Sequence, residues 1–191
     1  VLKTNYIIPT LEHFCGYSLS ERSCARDVGC SDTLFALIAY HTADSAPEPA
    51  SVCFGPTSSA QKLLLWIEAL QFVGGGAENF GHVTEGLASA LQLFDDFQCL
   101  FIASSPREKH CVLICNSPPY QSPCIGSPAY FGLTLDYVVC SMRERGISLS
   151  IITPRKISFL FKLFEKAGGD LQSALSKQYA RDARHLILLR N

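Results

Sequence analysis

Apolar positions along the chain recur at two periods, and the switches between them mark out the elements. Ile7, Leu11 and Phe14 share a helical face, with Pro9 expected to kink that helix or restart it near its first turn. Thr33 to Tyr40 is nearly all apolar and β-rich, as in a strand covered on both faces, and Val52 to Phe54 offers a short second strand. Too few residues separate these two for a crossover helix, so they should pair antiparallel. Ser58 and Gln61 have capping-box spacing, after which Leu63, Trp66, Ile67 and Leu70 fall at helical intervals up to Gly74-Gly75-Gly76. A second helical stripe, Val83, Leu87, Ala90, Leu91 and Phe94, runs to about Phe97.

Cys111 to Cys115 reads as a central parallel strand, and Asn116-Ser117-Pro118-Pro119-Tyr120 as the loop after it, since prolines lack the N–H a ladder needs. Thr134 can cap a helix with Leu135, Val138, Val139 and Met142 inward and Gly146 at its end. Ile147, Leu149 and Ile151 then alternate with serines, as in a strand. Thr153-Pro154 resembles a helix start, with Ile157, Leu160, Phe161 and Phe164 on one face and Gly168-Gly169 at the stop. A last strand fits Leu186 to Leu189. Helices alternating with two-sided apolar strands predict an α/β fold, doubly wound, with a mostly parallel sheet and one antiparallel edge strand. Such folds open on a central strand, whereas this chain opens on a helix. The expectation is one domain over residues 1–191, truncated at its N-terminus, with the first central strand upstream of Val1.

Composition narrows the function more than the fold. The chain is 48% hydrophobic and 17% charged, with a net charge of -1, so it has the apolar content for a core but no basic surplus to neutralise phosphates. Direct nucleic-acid binding is disfavoured, and no stretch has the roughly 18–20 apolar residues of a membrane span. The nine cysteines are odd in number. Cys111 and Cys115 share a strand face with Cα atoms about 13 Å apart, too far for a bridge. The set reads as buried free thiols of a reducing compartment.

Several stretches carry a resemblance to a known family. They are Gly74-Gly75-Gly76-Ala77-Glu78, Glu85-Gly86-Leu87-Ala88-Ser89-Ala90-Leu91-Gln92-Leu93-Phe94-Asp95-Asp96-Phe97, and Leu113-Ile114-Cys115-Asn116-Ser117-Pro118-Pro119-Tyr120. Glu144-Arg145-Gly146-Ile147, Pro154-Arg155-Lys156, Leu163-Phe164-Glu165-Lys166-Ala167 and Arg184-His185 follow in order. Together they resemble the von Willebrand factor A-type (VWA) domains of Mediator complex subunit 25. The resemblance implies a VWA/Rossmann-like fold and a nuclear, non-enzymatic role in RNA polymerase II transcription. Its partners would be Mediator core subunits, with activators received by a separate domain not in this chain.

The resemblance also bears on metal chemistry. Many domains of this fold class bind Mg²⁺ through an Asp-x-Ser-x-Ser loop after the first strand, a threonine on a second loop and an aspartate after the central strand, since hard cations need oxygen ligands. Here the second loop has no threonine before Thr84, and neutral Asn116 stands where the third would carry aspartate. No metal and no other cofactor is expected. Catalytic residues are not expected either: His110 and Cys115 lie at opposite ends of one strand, and Ser117 lacks nucleophile-elbow glycines. In open α/β sheets ligands meet the carboxyl ends of strands, so the candidate protein contacts are Gly74, Gly75, Gly76, Glu78, Asn116, Ser117, Pro118, Pro119 and Tyr120, with the Thr153 turn beside them. The competing reading is an extracellular, metal-dependent VWA-type adhesion domain.

Overall fold

The computed structural model of the chain describes residues 2–16, 33–45, 49–72, 77, 79–100, 107–177 and 179–190. The polar stretch from Ser18 to Ser31, with Cys24 and Cys30, lies outside these residues, as do Gly74, Gly75, Gly76 and Glu78. The chain divides into two compact units, Val1–Ala39 with Cys53–Phe72, and Tyr40–Val52 with Val73–Asn191.

In the first unit a π-helical turn over Lys3–Ile7 passes into helix α1, Ile8–Cys15. Pro9 stands at the start of α1 directly after the π-helical turn, with Ile7 and Ile8 already at helical angles, so the helix passes through it and changes there from π to α. Gly16 closes α1 at φ 72, its N–H reaching the Glu12 carbonyl at 2.9 Å. Strands β1, Phe35–Tyr40, and β2, Ser51–Thr57, form a two-stranded sheet. Gly55 lies against Phe35 and Ala36 here, and where the same two strands continue into the second unit the His41 N–H meets the Ala50 carbonyl, so they run antiparallel as expected. Only Phe35 of β1 is buried, so the strand is half-covered rather than enclosed on both faces. Helix α2, Ala60–Ala69, is capped by Ser59, whose hydroxyl accepts the Lys62 N–H. The cap falls one residue later than the Ser58–Gln61 spacing suggests, because Thr57 takes the Ser59 N–H and stops β2 there. Leu11, Phe35, Ala60 and Leu63 form this unit's core.

The second unit contains α3, Val83–Leu100; β3, Lys109–Ile114; α4, Leu135–Glu144; β4, Ile147–Thr153; α5, Ser158–Lys166; α6, Leu171–Ser176; and β5, Leu186–Leu188. β3 and β4 are parallel, with Lys109 opposite Ile147 and Ile114 opposite Ile152. β5 returns antiparallel on β4, with Thr153 opposite Leu186. Two helices separate β4 from β5 instead of one, so the chain arrives from the other end of the sheet. Among the described strands the parallel pair is β3 with β4, and these strands fall into two sheets, β1-β2 and β3-β4-β5. Among the described strands β3 is first in the order β3-β4-β5, with Leu113 and Cys115 buried and Val112 and Ile114 exposed. Val83, Leu87 and Leu91 of α3, Val138, Val139 and Met142 of α4, and Leu160, Leu163 and Phe164 of α5 close over β4 to make the core. α5 starts at Ser158 and not at Thr153-Pro154, because the Thr153 hydroxyl bonds both the N–H and the carbonyl of Arg155 and turns the chain first.

Candidate functional site

The loop after β3 is fastened from both sides. The Gly81 N–H donates to Pro118 at 3.0 Å, and the Tyr120 N–H donates back to Gly81 at 2.8 Å, a parallel bridge centred on Pro119. The segment is loop, as read from the sequence, and Pro119 makes only this isolated bridge, which uses the carbonyl before it and the N–H after it and never the missing N–H itself. Gly81 also bridges antiparallel to Thr42, and the His82 N–H reaches the His41 carbonyl at 2.9 Å. A side chain at Gly81 would press on Ser117 Oγ and Tyr40 Cε2, both 3.2 Å from an added Cβ, so glycine is what allows the three segments to meet. Tyr120 stands partly exposed over this junction, edge-on to His82 and Phe80 with ring centroids at 5.6 and 6.4 Å. Asn116 and Tyr120 are exposed and Pro119 is buried, so the five loop residues are brought together as one surface feature.

Tyr40 braces the loop from beneath. Its hydroxyl donates to the Ile114 carbonyl at 3.1 Å, and its ring packs so closely on α3 that a Cβ at Gly86 would come within 2.9 Å of it. Burial, and secondarily the neighbouring Cys115, pushes the Tyr40 phenol well up from its ordinary range. Cys115 itself is buried, its N–H bonded to the Ile152 carbonyl, and burial pushes its thiol up to about 12. At neutral pH it is a packed thiol and not a thiolate nucleophile.

Behind the contact loop, one face of α3 holds the following segment by its polar groups. Glu85, 3% exposed, accepts the Ile125 N–H at 2.6 Å, the Gly126 N–H at 3.1 and 3.2 Å, and the Cys124 thiol at 3.2 Å. Two turns on, Gln92 accepts the Ser127 hydroxyl at 2.8 Å. One turn further, Asp95 takes the Tyr130 hydroxyl and, at 2.8 Å, the Arg145 guanidinium. Burial works against the Asp95 carboxylate, but these donors and the Arg145 charge hold its pKa below the usual range. Burial, together with the Asp95 carboxylate, pushes Tyr130 up to about 12 against the opposing effect of Arg145. Residues 124–130 are thereby laid along α3, with Ile125 and Phe131 projecting to solvent.

Sequence reasoning did not single out Glu85, Tyr40 or Asp44. The Asp44 carboxylate accepts the Thr42 hydroxyl and, at 3.0 Å, the Ala77 N–H. Thr84 has a buried hydroxyl with no hydrogen-bond partner among the described residues. Those residues contain no group of three His, Cys, Asp or Glu side chains placed to hold a metal. Seven cysteines are described, all free: Cys115 and Cys124 are buried, Cys15 and Cys111 half-buried, and Cys53, Cys99 and Cys140 exposed, so burial is not common to all as expected. Among the described residues no helix is long and apolar enough to cross a membrane.

The family model for the Mediator complex subunit 25 von Willebrand factor type A domain matches residues 1–191. The chain belongs to that family. It is 43% identical over 191 residues to the Mediator of RNA polymerase II transcription subunit 25 of Danio rerio, covering 99% of this chain and 27% of that protein. The Homo sapiens protein of the same name is 40% identical over 192 residues, 99% of this chain and 25% of that protein. The Arabidopsis thaliana one is 25% identical over 207 residues, 97% of this chain and 24% of that protein. This subunit 25 VWA-type chain therefore spans about a quarter of the length of the curated relatives it matches. Nothing in these matches favours the adhesion reading: the matching names are those of a transcription complex subunit.

Proposed function

We propose that this VWA-type domain is a non-enzymatic, metal-free docking module that joins its subunit to the core of Mediator in the nucleus and so supports regulated transcription by RNA polymerase II. The observation that carries the reading is the family match over the whole chain. The local chemistry agrees with it: Asn116 offers a neutral amide where a cation would want a carboxylate, and Cys115 beside it is a packed thiol. A doubly wound, VWA/Rossmann-like sheet is the arrangement that membership favours. Docking uses Asn116, Ser117, Pro118, Pro119 and Tyr120, with Gly74, Gly75, Gly76 and Glu78 as further contacts. Activators are received elsewhere in the full-length subunit, and the domain makes no direct contact with nucleic acid.

The test is affinity purification of Mediator core subunits with the tagged full-length protein, intact and carrying Tyr120→Ala with Asn116→Ala. The intact protein should recover the core and the double variant should recover distinctly less. An intact protein that recovers none sinks the docking claim. Thermal melts of the same protein with Mg²⁺ and with EDTA should coincide; a Mg²⁺-dependent rise in melting temperature would revive the adhesion reading.

A further inference from the structure

The parallel register sets the end of β4 beside the contact loop: the Cys115 N–H bonds Ile152, and the chain turns away at Thr153 just as the Asn116 loop leaves β3. At this turn opens a cleft of about 560 Å³, lined by Pro154, Arg155, Lys156, Arg184 and His185. Its size falls within the roughly 300–1,000 Å³ of ordinary ligand clefts. Its chemistry is one-sided, since four of the five lining side chains carry a cationic or imidazole group. For a chain of net charge -1 this is a local concentration of positive charge and not a general property of the surface.

Each wall of the cleft is held by its own short-range bonds. The Thr153 hydroxyl bonds the Arg155 N–H at 3.2 Å and its carbonyl at 3.0 Å, which fixes the backbone that presents Arg155 and Lys156. On the facing segment Asp182 accepts Arg184 Nη2 at 2.8 Å, Nε at 3.1 Å and the backbone N–H at 2.9 Å. The guanidinium is oriented by that fork and its side chain is still 83% exposed. α5 begins two residues after Lys156 with no acid in its first turn and no side-chain cap, so the positive end of its backbone dipole adds to the same sign of potential.

Resting on the docking reading above, we infer that this cleft receives an acidic, extended segment of a Mediator core subunit, with Arg155 and Lys156 as the principal carboxylate contacts and Arg184 as a pre-oriented third. An acidic peptide fits better than a nucleic acid. Arg184 already answers one carboxylate, and two further cations in a recess are too few to track a phosphate backbone but enough to register alternate acidic side chains of a strand-like peptide. Exposed lysine and arginine on the rim would also speed encounter with such a partner.

Fluorescence anisotropy tests the inference, using full-length protein and a fluorescein-labelled peptide of Glu, Asp and Leu. A matched peptide with Lys in place of each acid and a single-stranded oligonucleotide serve as comparisons. The native protein should bind the acidic peptide, more weakly as salt rises, and Arg155→Glu with Lys156→Glu should weaken it about tenfold or more. Both positions are exposed, so the melting temperature should be unchanged; Arg155→Ala alone, read the same way, serves if the double variant does not fold. Absence of acidic-peptide binding, equal binding of the Lys peptide, unchanged affinity in the variants, or tighter binding of the oligonucleotide would each overturn the inference. Mediator recovery is measured on the same proteins. Variants that lose the peptide and also lose Mediator support the inference. If they lose the peptide but keep Mediator, the cleft is not the docking contact and the docking function stands. If the intact protein recovers no Mediator, the docking reading fails, and the inference fails with it.

Discussion

A carboxylate at 3% exposure survives only where donors replace its water, and Glu85 has them in the Ile125 and Gly126 amides and the Cys124 thiol. Removing it strands those donors in a dry site. Glu85→Ala should therefore cost about 2–4 kcal/mol, read as a lowered urea midpoint, while Glu85→Gln loses less because one acceptor oxygen remains. A change in midpoint smaller than the error of the fit would mean that the loop finds other partners. At Gly86 the limit is space: an added Cβ would sit 2.9 Å from Tyr40 Cδ1, and Gly86→Ala should destabilise by about 1–3 kcal/mol. Thr84 predicts the reverse sign. Its hydroxyl is buried with no partner among the described residues, so Thr84→Val, nearly the same shape, should leave the melting temperature unchanged or raise it. Such residues were hard to read from the chain because Glu85 lies among apolar α3 positions, and its partners lie 39 to 41 positions away. Asn116 could be read, since its meaning lies in which residue type is absent.

Between elements, the link from α3 to α4 passes through Asp95, Arg145 and Tyr130. The folded-state pKa of Asp95 is lowered, so its stabilisation is complete above the unfolded value near 4 and is lost as pH falls through the folded one. Asp95→Asn should accordingly cost about 1 kcal/mol at pH 7, a modest figure because the pair is about a third exposed, and the difference from the unaltered protein should vanish in melts taken well below pH 4. The amphipathic helices were the most legible elements: α3 and α4 bury the stripes their spacing predicts, including Val83, Leu91, Val138 and Met142 at 0% exposure. Strand type was less legible. Cys111 to Cys115 is apolar throughout, and an apolar run cannot say how many of its faces will be covered. The start of α5 was misplaced because Thr-Pro can open a helix or close a turn, and only the Arg155 contacts decide between them.

For the whole molecule, the free thiols offer a readout of how the fold is closed. Brief alkylation mapped by mass spectrometry should modify Cys53, Cys99 and Cys140 well before Cys115 and Cys124; early labelling of Cys115 would contradict the packing beneath the contact loop. Because burial raises Cys115 to about 12, and burial together with Asp95 raises Tyr130 to about 12, both favour the neutral form when folded. Their contribution is complete below the unfolded values and declines above about pH 9 as the unfolded chain ionises first. The α/β class was legible because helices and strands alternate in the sequence. The division into two sheets was not, because pairing depends on which edges meet and no local pattern records that. The bonds from Glu85 end on the backbone at Ile125 and Gly126 and read no side chain at Ile125. Position 125 is therefore a place where the sequence can drift, or be randomised in a library, while the path of the chain is conserved: an exposed, adjustable side chain on a fixed mount.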